Sequence, residues 1–183
     1  MSEEQWDAVI AVHMKGHFAC MRHAAEHWKN RSKAGEDVKA SVINTSSASG
    51  TFLPNPGQIN YGAAKAAIAA MSLVAAAELG RYGVRVNAIA PAARTRLTEN
   101  VPMIGEMMKA PEDPDAMDVF DPRHVAPFVA FLATEDCEIT GKLFAVQGGS
   151  ITECTNWQAG SGISAEGDWT IDGIAAELAG APV

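Results

Sequence analysis

Trp6, Val9, Ile10, His13, Met14, Phe18 and Met21 recur at steps of three and four residues along the opening of the chain. That period lays them on one stripe of a helix, predicted over residues 3–30, with Ser2 as its N-cap and Glu3 and Glu4 in the first turn, where the helix dipole favours acids. A polar connection with Gly35 follows. Ala40-Ser41-Val42-Ile43-Asn44-Thr45 is short, apolar and β-branched, which predicts a buried strand. Small polar residues and prolines from Ser46 to Gly57 predict a loop. Residues 59–80 are alanine-rich, carry Met71, Leu73 and Leu79, and stop at Gly80, predicting a long helix with a glycine just past its end. Val84 to Ala90 predicts a second strand, ended by Pro91. Residues 92–120 are rich in Met, Pro and Asp, and short helices in a mobile segment are expected there.

Pro122 opens another predicted helix, running to about Thr134, a position where proline's missing N–H costs nothing. Lys142 to Val146 predicts a third strand, closed by Gly148-Gly149. Helices alternating with strands predict an α/β fold with a parallel sheet covered by helices. The Gly- and Ala-rich remainder, Ser150 to Val183 with Trp157 and Trp169, is expected to wrap over the body or reach a partner subunit. The pattern begins on a helix, as though an α/β fold were entered midway.

Composition changes this picture little. A chain of 183 residues with 48% hydrophobic and 20% charged residues can bury a core and is the size of one domain. A net charge of -8 without Lys/Arg runs argues against a nucleic-acid partner, since phosphate backbones repel such a surface. Cys20, Cys137 and Cys154 are odd in number and far apart, which suits free thiols in a reducing cytoplasm. His13/His17 and His23/His27 have a spacing that can bind zinc, but no acid or cysteine accompanies them, so no metal site is expected. The polar start is unlike a signal peptide, and no stretch of about eighteen apolar residues is read as a membrane span.

The chemistry concentrates in the centre. Tyr61 and Lys65 lie four apart at the start of the alanine-rich helix, on one face. A free phenol, with a pKa near about 10, is a poor proton-transfer group at neutral pH. A nearby ammonium stabilises the phenolate and brings the group toward its working range. Ser47 sits at a strand end, where a hydroxyl can hold a substrate oxygen.

Ile43-Asn44-Thr45-Ser46-Ser47-Ala48-Ser49-Gly50 followed by Tyr61-Gly62-Ala63-Ala64-Lys65 closely resembles the active-site segment of the short-chain dehydrogenase/reductase family. Trp6 to Gly16 resembles that family's preceding helix, and Gly83-Val84-Arg85-Val86-Asn87-Ala88-Ile89-Ala90-Pro91 its following strand. Ile139-Thr140-Gly141 and Gly148-Gly149 resemble its last strand region. The resemblance runs in family order over residues 2–150. It implies a Rossmann-like fold and NAD(P)-dependent interconversion of a secondary alcohol and a ketone, with NAD or NADP as cofactor.

The resemblance also implies roles. Tyr61 would exchange the hydroxyl proton. Lys65 would assist it and hold the nicotinamide ribose. Ser47, three before Gly50, would hold the substrate. His13 stands where the family often has a relay asparagine. Pro91, Ala92, Arg94 and Thr95 would meet the cofactor, although Ala92 replaces the family's usual glycine; Arg96 is a further candidate for cofactor or substrate. His13 together with Pro91-Ala92-Ala93-Arg94-Thr95 is similar to the 3-hydroxyacyl-CoA dehydrogenase units of multifunctional β-oxidation enzymes, which suggests an acyl-CoA among small hydroxy or keto substrates. Association into a homodimer or homotetramer through residues 3–30 and 59–80 is expected.

Dinucleotide binding also needs a glycine-rich strand-to-helix turn and a downstream residue that reads the ribose. Gly80, Gly83 and Gly148 lie in the wrong order to supply it. The N-terminal βαβ half is therefore expected to lie outside this sequence. Residues 1–150 are read as the catalytic C-terminal part of the domain and 151–183 as a tail. The chain alone is expected to bind NAD(P) weakly and turn over negligibly. Two alternatives are a family epimerase or dehydratase, and a non-catalytic remnant or oligomerisation module.

Overall fold

The computed structural model describes residues 1–101, 104–113, 115–155 and 157–179. Helix α1 (Glu3–Ile10) starts at the expected cap: the Ser2 hydroxyl accepts from Gln5 N, and the Gln5 side chain accepts from Ser2 N. The single helix predicted over residues 3–30 is in fact α1, a π turn at Ala11–Lys15, and α2 (Gly16–Lys33). A π turn inserts one residue without disturbing the neighbouring three–four spacing, so periodicity did not reveal it.

Strand β1 (Ala40–Thr45), helix α3 (Ile59–Leu79) and strand β2 (Val84–Pro91) follow the predicted pattern. The α-helix stops at Gly80, as the sequence predicts. Gly80–Tyr82 continues as a 3-10 turn, and the left-handed residue is Gly83 (φ 76), not Gly80. A Cβ on Gly83 would lie 1.9 Å from the Val38 carbonyl oxygen, so only glycine fits this return. Two short helices, α4 (Arg96–Glu99) and α5 (Ile104–Met107), punctuate the next segment as expected. Asp121 caps a 3-10 turn at Pro122–His124, and α6 (Ala126–Ala133) succeeds it.

Strands β1, β2 and β3 (Leu143–Gln147) pair in parallel, β1 with β2 from Ala40↔Val84 to Thr45↔Ile89. The sheet then departs from the all-parallel expectation. Gly148 (φ 52) turns the chain into β4 (Ser150–Cys154), which pairs antiparallel with β3. The beginning of the region read as a tail is thus an edge strand, and the tail proper includes a last helix, α7 (Ile171–Ala179). Among the described residues β1 pairs with β2 alone, leaving its other edge open.

Strand β2 is buried on both faces, as a central parallel strand must be. Val84 and Val86 meet Ala75 and Ala76 of α3 on one side, and Ala88 and Ala90 meet Ala69. Ile89 joins Phe128, Leu132, Phe144 and Val146 on the side of α6. Small side chains let α3 lie close on the sheet. Arg85 donates to the carbonyls of Leu132 and Thr134 at the C-terminal end of α6, where a cation also suits the helix dipole. By length and composition α3 with its 3-10 extension could cross a membrane, which the sequence reading did not anticipate; 44% of its apolar window is buried against the sheet.

Candidate active site

The three loops that follow β1, β2 and β3 leave the same edge of the sheet. Ser47 follows β1, Pro91 ends β2 and Ala92 to Thr95 follow it, and Gly148-Gly149 follow β3. Ligands in open α/β sheets sit outside this carboxyl edge.

Tyr61 and Lys65 occupy the first two turns of α3. Gly50 and Gly62 explain how the Ser47 loop reaches that helix. Gly50 has φ 81, and a Cβ there would lie 2.0 Å from the Gly62 carbonyl oxygen. Backbone therefore packs on backbone. Ser46, 2% exposed, donates to the Lys65 carbonyl at 2.7 Å, tying the end of β1 to the same helix. The Ser47 hydroxyl accepts from Ser49 N at 3.2 Å, and Thr51 donates to the Ser47 carbonyl at 2.6 Å, which fixes the loop from within. Asn60 fastens the first turn of α3 to α1 by donating to the Gln5 carbonyl at 3.2 Å.

Lys65 is 4% exposed, an unusual place for an ammonium. Its Nζ donates to the Thr45 carbonyl at 2.9 Å and lies 5.5 Å from the centre of the Tyr61 ring. Burial holds its pKa below the ordinary lysine value. The His13 ring meets the Tyr61 ring edge-on, with centroids 5.2 Å apart. His13 sits on the π turn, and His17 Nδ1 donates to its carbonyl at 2.7 Å. Burial pushes the His13 pKa down, and the charge of Lys65 adds to this, followed by His17. The structure thus gathers His13, Tyr61 and Lys65 into one cluster, with Ser47 in the loop locked beside the helix.

The residues after β2 divide into two kinds. Ala92 N is spent on the Val146 carbonyl at 2.9 Å, which continues the β2–β3 ladder past Pro91. Thr95 is exposed, and its N–H and hydroxyl turn toward Thr98 in a capping arrangement for α4. Arg96 is exposed. Arg94 faces inward instead. Its guanidinium makes a two-pronged pair with Asp118 and donates to the Met108 carbonyl at 2.9 Å. The pair raises the Arg94 pKa and lowers that of Asp118, through the hydrogen bonds between them.

Sequence reasoning did not find Ser46, Gly62, Asn60 or Asp118. Gly62 carried a readable signal, a glycine beside Tyr61 in an otherwise alanine-rich helix. Asp118 carried none, because its partner is remote in sequence.

A cofactor's nicotinamide end fits the residues that are present. An ammonium has three donors, and the Thr45 carbonyl is the one acceptor that Lys65 uses among the described residues, leaving donors for ribose hydroxyls.

Comparison with known proteins identifies the family. The family model described as enoyl-(acyl carrier protein) reductase matches residues 1–150. Hydroxyacyl-CoA dehydrogenase ChsB1 of Mycobacterium tuberculosis is 45% identical over 157 residues, covering 83% of this chain and 47% of that protein. A crystal structure of a short chain dehydrogenase from Mycobacterium avium superposes with a TM-score of 0.82 at 47% identity, covering 97% of this chain and 57% of that one. A 4-hydroxyisoleucine dehydrogenase complexed with NADH gives a TM-score of 0.63 at 25% identity, over 81% of this chain and 60% of that one. The chain spans about half the length of the curated relatives it matches. With a family model covering most of its length, and with a buried lysine beside the tyrosine of a Tyr-x-x-x-Lys helix, the chain belongs to the short-chain dehydrogenase/reductase family.

Proposed function

We propose that this chain carries the proton-handling half of a nicotinamide-dependent site that interconverts the secondary hydroxyl and the ketone of a 3-hydroxyacyl-CoA. The observation that carries the reading is the burial of the Lys65 ammonium 5.5 Å from the Tyr61 ring. The named activity of the Mycobacterium tuberculosis relative supports the substrate class.

In the oxidation direction, Tyr61 takes the proton of the substrate hydroxyl. An ammonium beside a phenol stabilises the phenolate that must accept this proton. Ser47 donates to the substrate oxygen and holds it toward Tyr61. Lys65, anchored by the Thr45 carbonyl, offers its remaining donors to the nicotinamide ribose. His13, packed on Tyr61, passes the proton onward. Pro91, Ala92 and Thr95 border the nicotinamide. The bound nicotinamide, as NAD or NADP, supplies the hydride acceptor or donor. No glycine-rich strand-to-helix turn in this sequence can hold the diphosphate, so the chain by itself binds dinucleotide weakly and turns over negligibly.

The test is complementation. The glycine-rich half of a family member is joined ahead of Met1, and NAD- or NADP-dependent oxidation of a 3-hydroxyacyl-CoA is assayed. Turnover that disappears in Tyr61→Phe is expected. A complemented protein without turnover, or one indifferent to Tyr61→Phe, would refute the proposal.

A second reading adds assembly to chemistry. The outward faces of α2 and α3 expose Phe18, Ile59 and Val74, and the tail exposes Ile171 and Leu178. We propose that the α2–α3 face and the tail pack against further copies of this chain in a dimer or tetramer. Sedimentation of wild type against Val74→Glu checks this, with dissociation expected for the variant.

A further inference from the structure

We infer that Arg94 is a positioning residue for the substrate: it straps the segment between β2 and β3 across the carboxyl edge of the sheet. The substrate consequence rests on the dehydrogenase reading above; the strap itself does not.

The segment from Ala92 to Asp121 is a long connection that carries only the two short helices α4 and α5 among its described residues. Arg94 reaches several separated points in it. Its backbone N–H donates to the Phe120 carbonyl at 2.7 Å, so the two ends of the segment are bonded to each other. Its guanidinium holds the Met108 carbonyl at 2.9 Å and grips both oxygens of Asp118, with Glu99 at 3.9 Å from Nε. Arg94 and Asp118 are 20% and 15% exposed, so this ion pair is shielded, unlike an ordinary surface pair.

Apolar burial supplies little else. Met108 is the one hydrophobic residue of the segment buried among those described. Local fits complete the frame. A Cβ on Gly105 would strike the Glu99 carbonyl oxygen at 2.3 Å, which locks α5 on α4. Gly148, at the β3–β4 turn, lies against Val119, where a Cβ would be 3.1 Å from its Cα. The guanidinium fork matches the carboxylate in two parallel bonds, and lysine cannot reproduce that geometry.

The segment also exposes Leu97, Met107 and Met117. Adaptable apolar side chains of this kind suit a flexible acyl chain. The strap would hold them at the carboxyl edge of the sheet, where the Ser47 loop and the first turns of α3 also lie. Arg94 thereby sets how the substrate sits, without touching the reacting atoms.

The test begins with limited trypsin digestion of the full chain, following cleavage after Arg96 and Lys109 by mass spectrometry. Cleavage of a segment that opens and closes rapidly tracks the open population. Asp118→Asn and Arg94→Lys are each expected to speed cleavage there about tenfold or more, while sites on α2 such as Arg22 and Lys29 keep their rates. The charge swap, Arg94→Asp with Asp118→Arg, is expected to restore protection. Unchanged cleavage in both single variants would overturn the strap, and so would an equal rise at the α2 sites. In the complemented protein, Asp118→Asn is expected to raise KM for a 3-hydroxyacyl-CoA about tenfold with kcat within about twofold. A fall in kcat at constant KM would overturn the positioning role. Absence of turnover in the complemented wild type counts against the dehydrogenase reading alone, and the digestion still decides the strap.

Discussion

The first turns of helix α3 and the start of the segment from Ala92 to Asp121 lie at the same carboxyl edge of the sheet, yet different physics holds the two elements. Helix α3 buries Gly62, Ala64, Lys65, Ile68, Ala69, Ser72, Ala75 and Ala76, and its position follows from small side chains lying close on β1 and β2. Among its described residues the strap buries Met108 alone of its hydrophobic side chains, and it depends on Arg94. Packing of the first kind is rigid and suits groups whose spacing must not vary, such as Tyr61 and Lys65. A polar hub of the second kind can open locally at small cost to the whole fold, which suits a cover that admits substrate. On the proposed dehydrogenase reading, the chemistry falls to the stiff element and admission to the soft one.

The comparison breaks most sharply at the chemistry. In the complemented protein, Tyr61→Phe should lower kcat by roughly 100- to 10,000-fold, the range lost with a general acid–base. No variant of the strap should approach that in kcat. Next in size is stability. Ile68 of α3 is fully buried, and Ile68→Ala should destabilise by about 2–5 kcal/mol in denaturant unfolding. Leu97→Ala, on the exposed strap, should stay within about 0.5 kcal/mol. Comparable losses for the two would show that the strap shares the core's packing.

The π turn under Tyr61 gives a pH signature. The folded pKa of His13 is lowered from 6.5, so the unfolded chain takes up a proton that the folded state refuses. Stability attributable to His13 is therefore complete above 6.5 and falls as pH drops toward the lower folded value. His13→Asn should flatten that acid-side loss in melting curves taken across the window. An unchanged slope would place the loss elsewhere. The smallest effect is expected at the β4 edge. The Lys142–Glu153 pair is half exposed, and Lys142→Ala should change stability by no more than about 0.5 kcal/mol.

How far the sequence could be read follows from the same contrast. Strands β1 and β2 and helix α3 were legible because buried elements need long apolar or alanine-rich runs. Tyr61 and Lys65 were legible as a pair because one helical turn brings them together. Strand β4 was not, since Ser150-Ile151-Thr152-Glu153-Cys154 is mostly exposed and alternates weakly; the Gly148-Gly149 pair was its best signal. The π turn hid within an intact helical period. The inward turn of Arg94 could not be read at all, because it depends on Asp118, brought back by the fold rather than by spacing. Local pattern reveals what packs and misses what is strapped.

The central claim is that this chain holds the proton-handling part of a nicotinamide site without a diphosphate cradle. Titrating the 183-residue chain with NADH and NADPH, and following nicotinamide fluorescence, tests it most directly. The account predicts no saturation at micromolar cofactor. Saturation in the micromolar range would contradict it, and would mean that the chain binds the dinucleotide without a glycine-rich turn.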